Sequence, residues 1–100
     1  MKLGILVNSD RHLGSITGIV RAASAKGHGV ILFLMDAGTR LLADPACAAL
    51  CQLPGVSLSF CQESAMRAGV GVDTLPEAIV SGSQLQNAMM VQQADRIIVL

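Results

Sequence analysis

Val30-Ile31-Leu32-Phe33-Leu34-Met35 is apolar at every position. A strand with one wet face alternates apolar with polar residues. This run does not alternate, so both of its faces are covered, as happens in a parallel sheet flanked by crossover helices on both sides. Upstream, Leu3-Gly4-Ile5-Leu6-Val7 is a second short apolar run that stops at the turn formers Asn8-Ser9-Asp10, and it also reads as a buried strand. Between the two the period changes: Leu13, Ile16, Val20 and Ala23 recur at spacings of three and four, the pattern of a helix with one buried face, which Lys26-Gly27 closes.

Downstream the alternation continues. Asp44-Pro45 is a helix cap followed by proline at the first helical position, and Ala46, Ala49, Leu50 and Leu53 supply a buried face before Pro54-Gly55 ends it. Val56-Ser57-Leu58-Ser59-Phe60 alternates as a strand and delivers Cys61, and a short helix from Gln62 to Ala68 stops at Gly69. Val70 to Pro76 has no period and reads as loop, and Glu77 to Val80 as a short strand before a Ser81-Gly82 turn. Ser83 with Gln86 forms a capping box, Leu85, Ala88 and Met89 give the inner face of the last helix, and Ile97 to Leu100 is the closing strand. Strands alternating with helices predict one doubly wound α/β domain over residues 1–100, with a mostly parallel sheet of about five strands.

Composition narrows the function. Hydrophobic residues make up 52% of the chain and charged residues 14%, so the surface cannot be fully polar, and a homo-oligomer or a hetero-complex is expected to hide the excess. Seven basic and seven acidic residues cancel without clustering, which argues against nucleic acid or an anionic membrane as partner. Phe33 and Phe60 are the only aromatic residues, too few for a base-stacking platform. No apolar run approaches the ~20 residues of a membrane span, and no signal peptide is visible, so a cytoplasmic location is expected. Three cysteines in such a chain do not suggest a disulfide framework.

In doubly wound sheets the chemistry sits at the carboxyl ends of the strands. That rule selects Asn8 to His12, Met35 to Arg40, Cys61 to Ser64 and Ser81 to Ser83. Of these, Cys61 carries the most reactive group. It precedes a helix, whose free N–H groups and positive end stabilise a thiolate. The bland alternative is a packed, inert thiol. Arg11 and His12 are candidates for electrostatic support of that thiolate, although a polar loop is more often a solvated connection. Cys47 and Cys51 share a helix face. Cys51 falls toward the opposite sheet edge, whereas Cys47 lies one turn into its helix, where it is a candidate resolving thiol; core packing is the alternative for both. Neither His12 nor His28 has metal-ligand spacing to the cysteines, and His28 reads as structural. Dinucleotide, Walker-type and Gly-x-Ser-x-Gly signatures are missing.

The string Gly55-Val56-Ser57-Leu58-Ser59-Phe60-Cys61-Gln62-Glu63-Ser64-Ala65-Met66-Arg67-Ala68-Gly69-Val70 resembles the DsrE/TusD family of sulfur-relay proteins. Further matches lie in Lys26-Gly27-His28 and in Ala94-Asp95-Arg96-Ile97-Ile98, so the resemblance runs the length of the chain. It implies a three-layer α/β/α (DsrE/F-like) domain, with Cys61 where active members carry a persulfide. It also implies exchange of sulfane sulfur with a protein donor and a protein acceptor, without organic cofactor or metal, in a homo-trimer, a hexamer or a complex of related subunits. The chain is shorter than the tRNA-thiolation members, mainly in its first two loops, so their partner contacts do not carry over, and Cys47 and Cys51 match no family motif. The expected function is therefore sulfur carriage on Cys61. Its rival is a non-catalytic oligomeric module that binds a protein through Met66, Met89 and Met90, and a redox pair of Cys47 with Cys61 is a third option.

Overall fold

The computed structural model describes all residues 1–100, in the order β1 (Lys2–Val7), α1 (Leu13–Ala25), β2 (Gly29–Leu34), a 3₁₀ segment (Asp36–Ala43), α2 (Pro45–Ala48), a 3₁₀ turn (Ala49–Gln52), β3 (Val56–Cys61), α3 (Gln62–Ala68), β4 (Ile79–Gly82), α4 (Gln84–Gln93) and β5 (Arg96–Val99). All five strands are parallel and pair in the order β4-β3-β2-β1-β5.

The strand order dictates the layers. From β1 to β4 each new strand is added on the same side, and the last crossover returns across the sheet to place β5 beyond β1. With right-handed crossovers, the helical segments after β1, β2 and β3 occupy one face and α4 the other. The packing agrees. Ile5, Val7, Leu32, Leu58 and Phe60 share the larger core cluster with Ile16 and Val20 of α1 and Ala65 of α3, whereas Phe33 and Cys61 pack with Met90 of α4 in a second, smaller one.

The all-apolar β2 is covered on both faces, with Val30, Leu32 and Leu34 toward the first and Phe33 toward the second. The expected alternation of β3 is also found: Leu58 and Phe60 are buried, Ser57 is exposed and Ser59 half-buried. Helix α1 buries Ile16 and Val20 as its spacing requires, and Gly27 closes it at φ 79°.

Several elements depart from the expectation. Met35 falls outside β2, which ends at Leu34, and the carboxyl-end segment Met35 to Arg40 leads into a 3₁₀ helix, Asp36–Ala43, for which the sequence offers no helical period. Its Gly38 lies against the Val7 backbone carbonyl so closely that no Cβ would fit. The segment after Asp44 holds only one α-helical turn before tightening to 3₁₀ geometry. Three residues per turn put Cys47 and Leu50 on the inner side, and Ala46 and Ala49, expected there, are exposed. Asp44 does cap as expected, its Oδ1 accepting from the Ala46 N–H at 2.9 Å. Strand β4 begins at Ile79 and includes Ser81 and Gly82, which were read as a turn.

The last helix is rotated from its expected face. Leu85 (62% exposed), Ala88 and Met89 (45%) look outward, and Met90 (1%) is the buried residue. The cause lies in β1: a Cβ on Gly4 would stand 3.0 Å from Met90 Cγ and 3.0 Å from Ala94 Cβ, so the missing side chain is the socket into which α4 settles. The capping box holds as expected, with Ser83 Oγ accepting from the Leu85 N–H at 3.2 Å and Gln86 Oε1 accepting from the Ser83 N–H at 2.6 Å. No helix is long and apolar enough to cross a membrane.

Candidate functional site

Strand β3 sends the chain into α3 on one face, and its neighbour β4 sends it into α4 on the other. Doubly wound sheets bind their ligands in the crevice at the carboxyl edge between two such strands. Cys61 and Gly82 are register partners at that point. Cys61 is the last residue of β3 and the N-cap of α3, and Gly82 precedes the cap of α4 by one residue, so two helix starts flank the thiol. Gly82 is required locally, because a Cβ there would collide with the Gln86 side chain that completes the capping box.

The thiol is 7% exposed and packs with Phe33 and Met90, with Met35 beside them. Gln84, at the start of α4, reaches Met35 Sδ at 3.8 Å and closes the wall above this cluster. Burial alone would push the Cys61 thiol up. It is outweighed by hydrogen bonds that favour the thiolate, from the Ser64 hydroxyl, the Ser64 N–H and the Glu63 N–H, against a smaller opposing push from the Glu63 carboxylate, and the net direction is down. No side-chain capping hydrogen bond joins Cys61 to α3, so the three donors are neighbours of the thiol whose effect falls on its charged form. Ser64 is the third residue of α3 and 5% exposed, a role that its place within a short helix did not announce.

The other sequence candidates do not join this site. Arg11 and His12 are exposed in the loop after β1, make no side-chain hydrogen bond or ion pair, and lie two strand spacings, about 10 Å, from the end of β3. Cys47 is 2% exposed in the larger cluster, on the opposite face from Cys61. Burial foremost, then the nearby Asp44 and Cys51, pushes its thiol up to about 11. Buried, protonated and behind the sheet, it is poorly placed to resolve a Cys61 disulfide. Cys51 is half-buried against the same cluster, and all three thiols are free. No three His, Cys, Asp or Glu side chains converge as metal ligands would.

The chain matches the DsrE/DsrF-like family over residues 1–100. It belongs to that family. Two solved structures share the fold: the YchN protein from E. coli, at 14% identity and a TM-score of 0.71, covering 99% of this chain and 97% of that one, and MTH1491 from Methanobacterium thermoautotrophicum, a protein of unknown function, at 16% identity and a TM-score of 0.75, covering 99% and 98%. None of the curated proteins matches the chain. Membership associates this DsrE/DsrF-like chain with sulfur relay in general, and the three-layer architecture implied by the resemblance is the one observed.

Between the 3₁₀ segment and α3 lies an open polar pocket of about 190 Å³ lined by Asp36, Arg40, Ser64 and Arg67, with Ala37 and Ala68; Cys61 itself is not in its lining. On the α4 face a groove of about 280 Å³ runs between Met89, Met90 and Gln93 on one side and Ser57, Ser59 and Val80 on the other. Val80, Leu85, Met89, Val91, Ile97 and Val99 leave this face of the molecule apolar and exposed.

Proposed function

We propose that this DsrE/DsrF-like protein is a small sulfur carrier that holds sulfane sulfur as a persulfide on Cys61. The observation that supports this reading is the placement of one thiolate-favouring cysteine in the crevice between β3 and β4, where the fold concentrates its helix starts. The step is a displacement: the Cys61 thiolate attacks the outer sulfur of R–S–SH, the Sγ–S bond forms, the donor S–S bond breaks, and R–S⁻ leaves with the electron pair. An acceptor thiolate later repeats the attack on Cys61–S–SH, and the chain is returned as thiolate. No net oxidation or reduction is involved.

Protein partners supply and receive the sulfur in this reading, in the cytoplasm, and the chain works as a homo-oligomer or beside related subunits. The exposed apolar residues of the α4 face support assembly. They also favour a second reading, a non-catalytic module that binds a protein through that face. Met90 is not part of it, being buried, and Met66 is exposed on α3, which packs on the other side of the sheet.

Incubation of the purified protein with a persulfide donor, followed by intact mass with and without reductant, separates the two. The carrier gains about 32 Da per sulfur atom, the gain is reversed by a thiol reductant, and Cys61→Ser does not show it. No gain in the wild type, or an equal gain in Cys61→Ser, rejects carriage and leaves the binding module.

A further inference from the structure

The pocket between the 3₁₀ segment and α3 has a charge pattern of its own. Arg40 enters from the 3₁₀ segment and Arg67 from α3, and the single carboxylate among the lining residues is Asp36. Each arginine has an acidic neighbour, Asp10 at 3.6 Å from Arg40 and Glu63 at 3.3 Å from Arg67. Both pairs are more than one-third exposed on every side chain, so they hold the guanidinium groups weakly. A guanidinium carries five N–H donors, and one carboxylate neighbour does not exhaust them. Asp36 sits at φ 49°, the only non-glycine residue with a positive φ. That left-handed conformation is uncommon outside glycine, though tolerated best by Asp and Asn, and such residues cluster at ligand sites. Thr39, fully buried, donates its hydroxyl to the Asp36 carbonyl at 2.8 Å and holds the turn in place.

Two cationic groups and one carboxylate around a hydroxyl complement a zwitterion. The volume, about 190 Å³, is below the ~300–1,000 Å³ of drug-sized sites and equals roughly six water volumes of ~30 Å³. It suits a molecule the size of free cysteine. Ser64 joins the pocket to the thiol, since it lines the first and stands three residues after Cys61, in the first turn of the helix that Cys61 caps.

We infer that this pocket receives the α-amino-acid head group of a small thiol persulfide, its carboxylate against Arg40 and Arg67, its ammonium against Asp36, and its sulfur directed to Cys61. A small-molecule donor then takes the place of the protein donor of the preceding section: R–S–SH is cysteine persulfide or a close analogue, the leaving R–S⁻ is the thiolate of the free amino acid, and the acceptor remains a protein. The inference rests on the carrier reading for its chemistry, though the pocket can be tested without it.

The first experiment varies the donor and leaves the protein unchanged. Persulfides made from sulfide and the disulfides of cysteine, cysteamine and 3-mercaptopropionate differ only in the head group: both charges, the ammonium alone, the carboxylate alone. The rate of the 32 Da gain on Cys61 is read for each and divided by the rate with inorganic polysulfide. Cysteine persulfide is expected to lead each truncated donor by about tenfold or more, the discrimination of a site whose charged groups are left unpaired by the wrong ligand. The lead over cysteamine persulfide shrinks in the double variant Arg40→Gln/Arg67→Gln, and the lead over 3-mercaptopropionate persulfide shrinks in Asp36→Asn. Equal rates for the three donors, or an undiminished preference in the variants, overturns the inference while carriage stands. Should no donor, polysulfide included, add sulfur to Cys61, the carrier reading itself is lost. The pocket is then judged by binding alone: free cysteine titrated into Cys61→Ser, followed by amide chemical shifts. Saturable shifts at Asp36, Arg40, Ser64 and Arg67, absent in the double variant, support the site. Their absence at tens of millimolar cysteine rejects it.

Discussion

The three cysteines differ enough in environment that a single alkylation experiment tests the reading of the site. At pH 8 a thiol of pKa 9 is about one-tenth thiolate, and one of pKa 11 about one-thousandth. Cys47 is pushed up to about 11 and Cys61 is held below its ordinary value of 9.0. The thiolate fraction of Cys61 therefore exceeds that of Cys47 by at least about a hundredfold. Intrinsic nucleophilicity works in the other direction. It falls with pKa along a Brønsted slope of ~0.4–0.5, which over two pH units removes a factor of about 6 to 10. The net expectation is that Cys61 alkylates about tenfold faster than Cys47. Burial widens the gap, since Cys47 lies behind the sheet at 2% exposure and Cys61 at the crevice with 7%.

The assay is limited labelling with iodoacetamide from pH 5 to pH 10, each cysteine quantified by its own peptide. The same protein unfolded in urea serves as reference, because there Cys47 and Cys61 share the ordinary value of 9.0 and label alike. In the folded protein the Cys61 profile rises at lower pH than in urea, whereas Cys47 stays nearly unlabelled until strongly alkaline pH. The sign follows from the donors: the Ser64 hydroxyl and the Ser64 and Glu63 amides favour the charged form, and their loss on unfolding returns Cys61 upward. Equal labelling of Cys47 and Cys61 in the folded protein, or a Cys61 profile that does not move on unfolding, refutes the assignment of Cys61 as the activated thiol.

Three further outcomes test the fold that positions it. Gly38→Ala forces a Cβ into the Val7 carbonyl and should cost about 1–3 kcal/mol, lowering the melting temperature by roughly 5–20 °C in a thermal melt. Met90→Ala empties the small cluster beneath α4 and is expected to lose about 2–5 kcal/mol in urea unfolding, whereas Leu85→Ala, on the outer face of the same helix, should change the stability of the isolated subunit by less than about 0.5 kcal/mol; a larger loss at Leu85 would restore the face read from the sequence. Cys47 makes stability fall with alkali: its folded pKa of about 11 lies above the unfolded value near 9, so its stabilisation is full below pH 9 and is lost as pH rises toward 11. Two units correspond to at most about 2.7 kcal/mol. Urea unfolding at a series of pH values should show that decline in the wild type and a shallower one in Cys47→Ala.

The main frame was legible because its signals are local and strong. Val30 to Met35 could only be a strand covered on both faces, and the spacing of Leu13, Ile16 and Val20 could only be a helix on one of them. What failed had a partner distant in sequence. The face of α4 is set by the empty space at Gly4, some 86 positions away, and its own residues, with methionine at both Met89 and Met90, leave the rotation undecided. The 3₁₀ winding after Met35 is equally hidden, because Asp36 to Ala43 contains no helical period of apolar residues and gains its stability from packing on the strand ends. For the site, the place of Cys61 at the end of β3 is legible from the alternation of the strand that ends at it, and its role is the proposal above. The 3₁₀ winding of Asp36–Ala43 puts Arg40 and Asp36 beside α3, where Ser64 and Arg67 face them, so the pocket residues could not be grouped in advance even though the segment Met35 to Arg40 was recognised as lying on the functional edge.

One topological fact joins the site to the apolar surface. The crossover from β4 to β5 must span four strand spacings, about 19 Å, and its helix is ten residues long, about 15 Å. A single helix about 10 Å across cannot roof that width. It settles over the middle of the sheet, on Gly4 and Phe33, and leaves Val80 bare on one flank and Ile97 and Val99 bare on the other. The reversal of direction that opens the crevice at Cys61 is thus the same event that leaves this face half covered. Val80 lies two residues before Gly82, the register partner of Cys61, so whatever covers that flank stands at the border of the crevice. A subunit docked there would shape access to the thiol as well as hide apolar surface, so assembly on this flank would couple to the reactivity of Cys61.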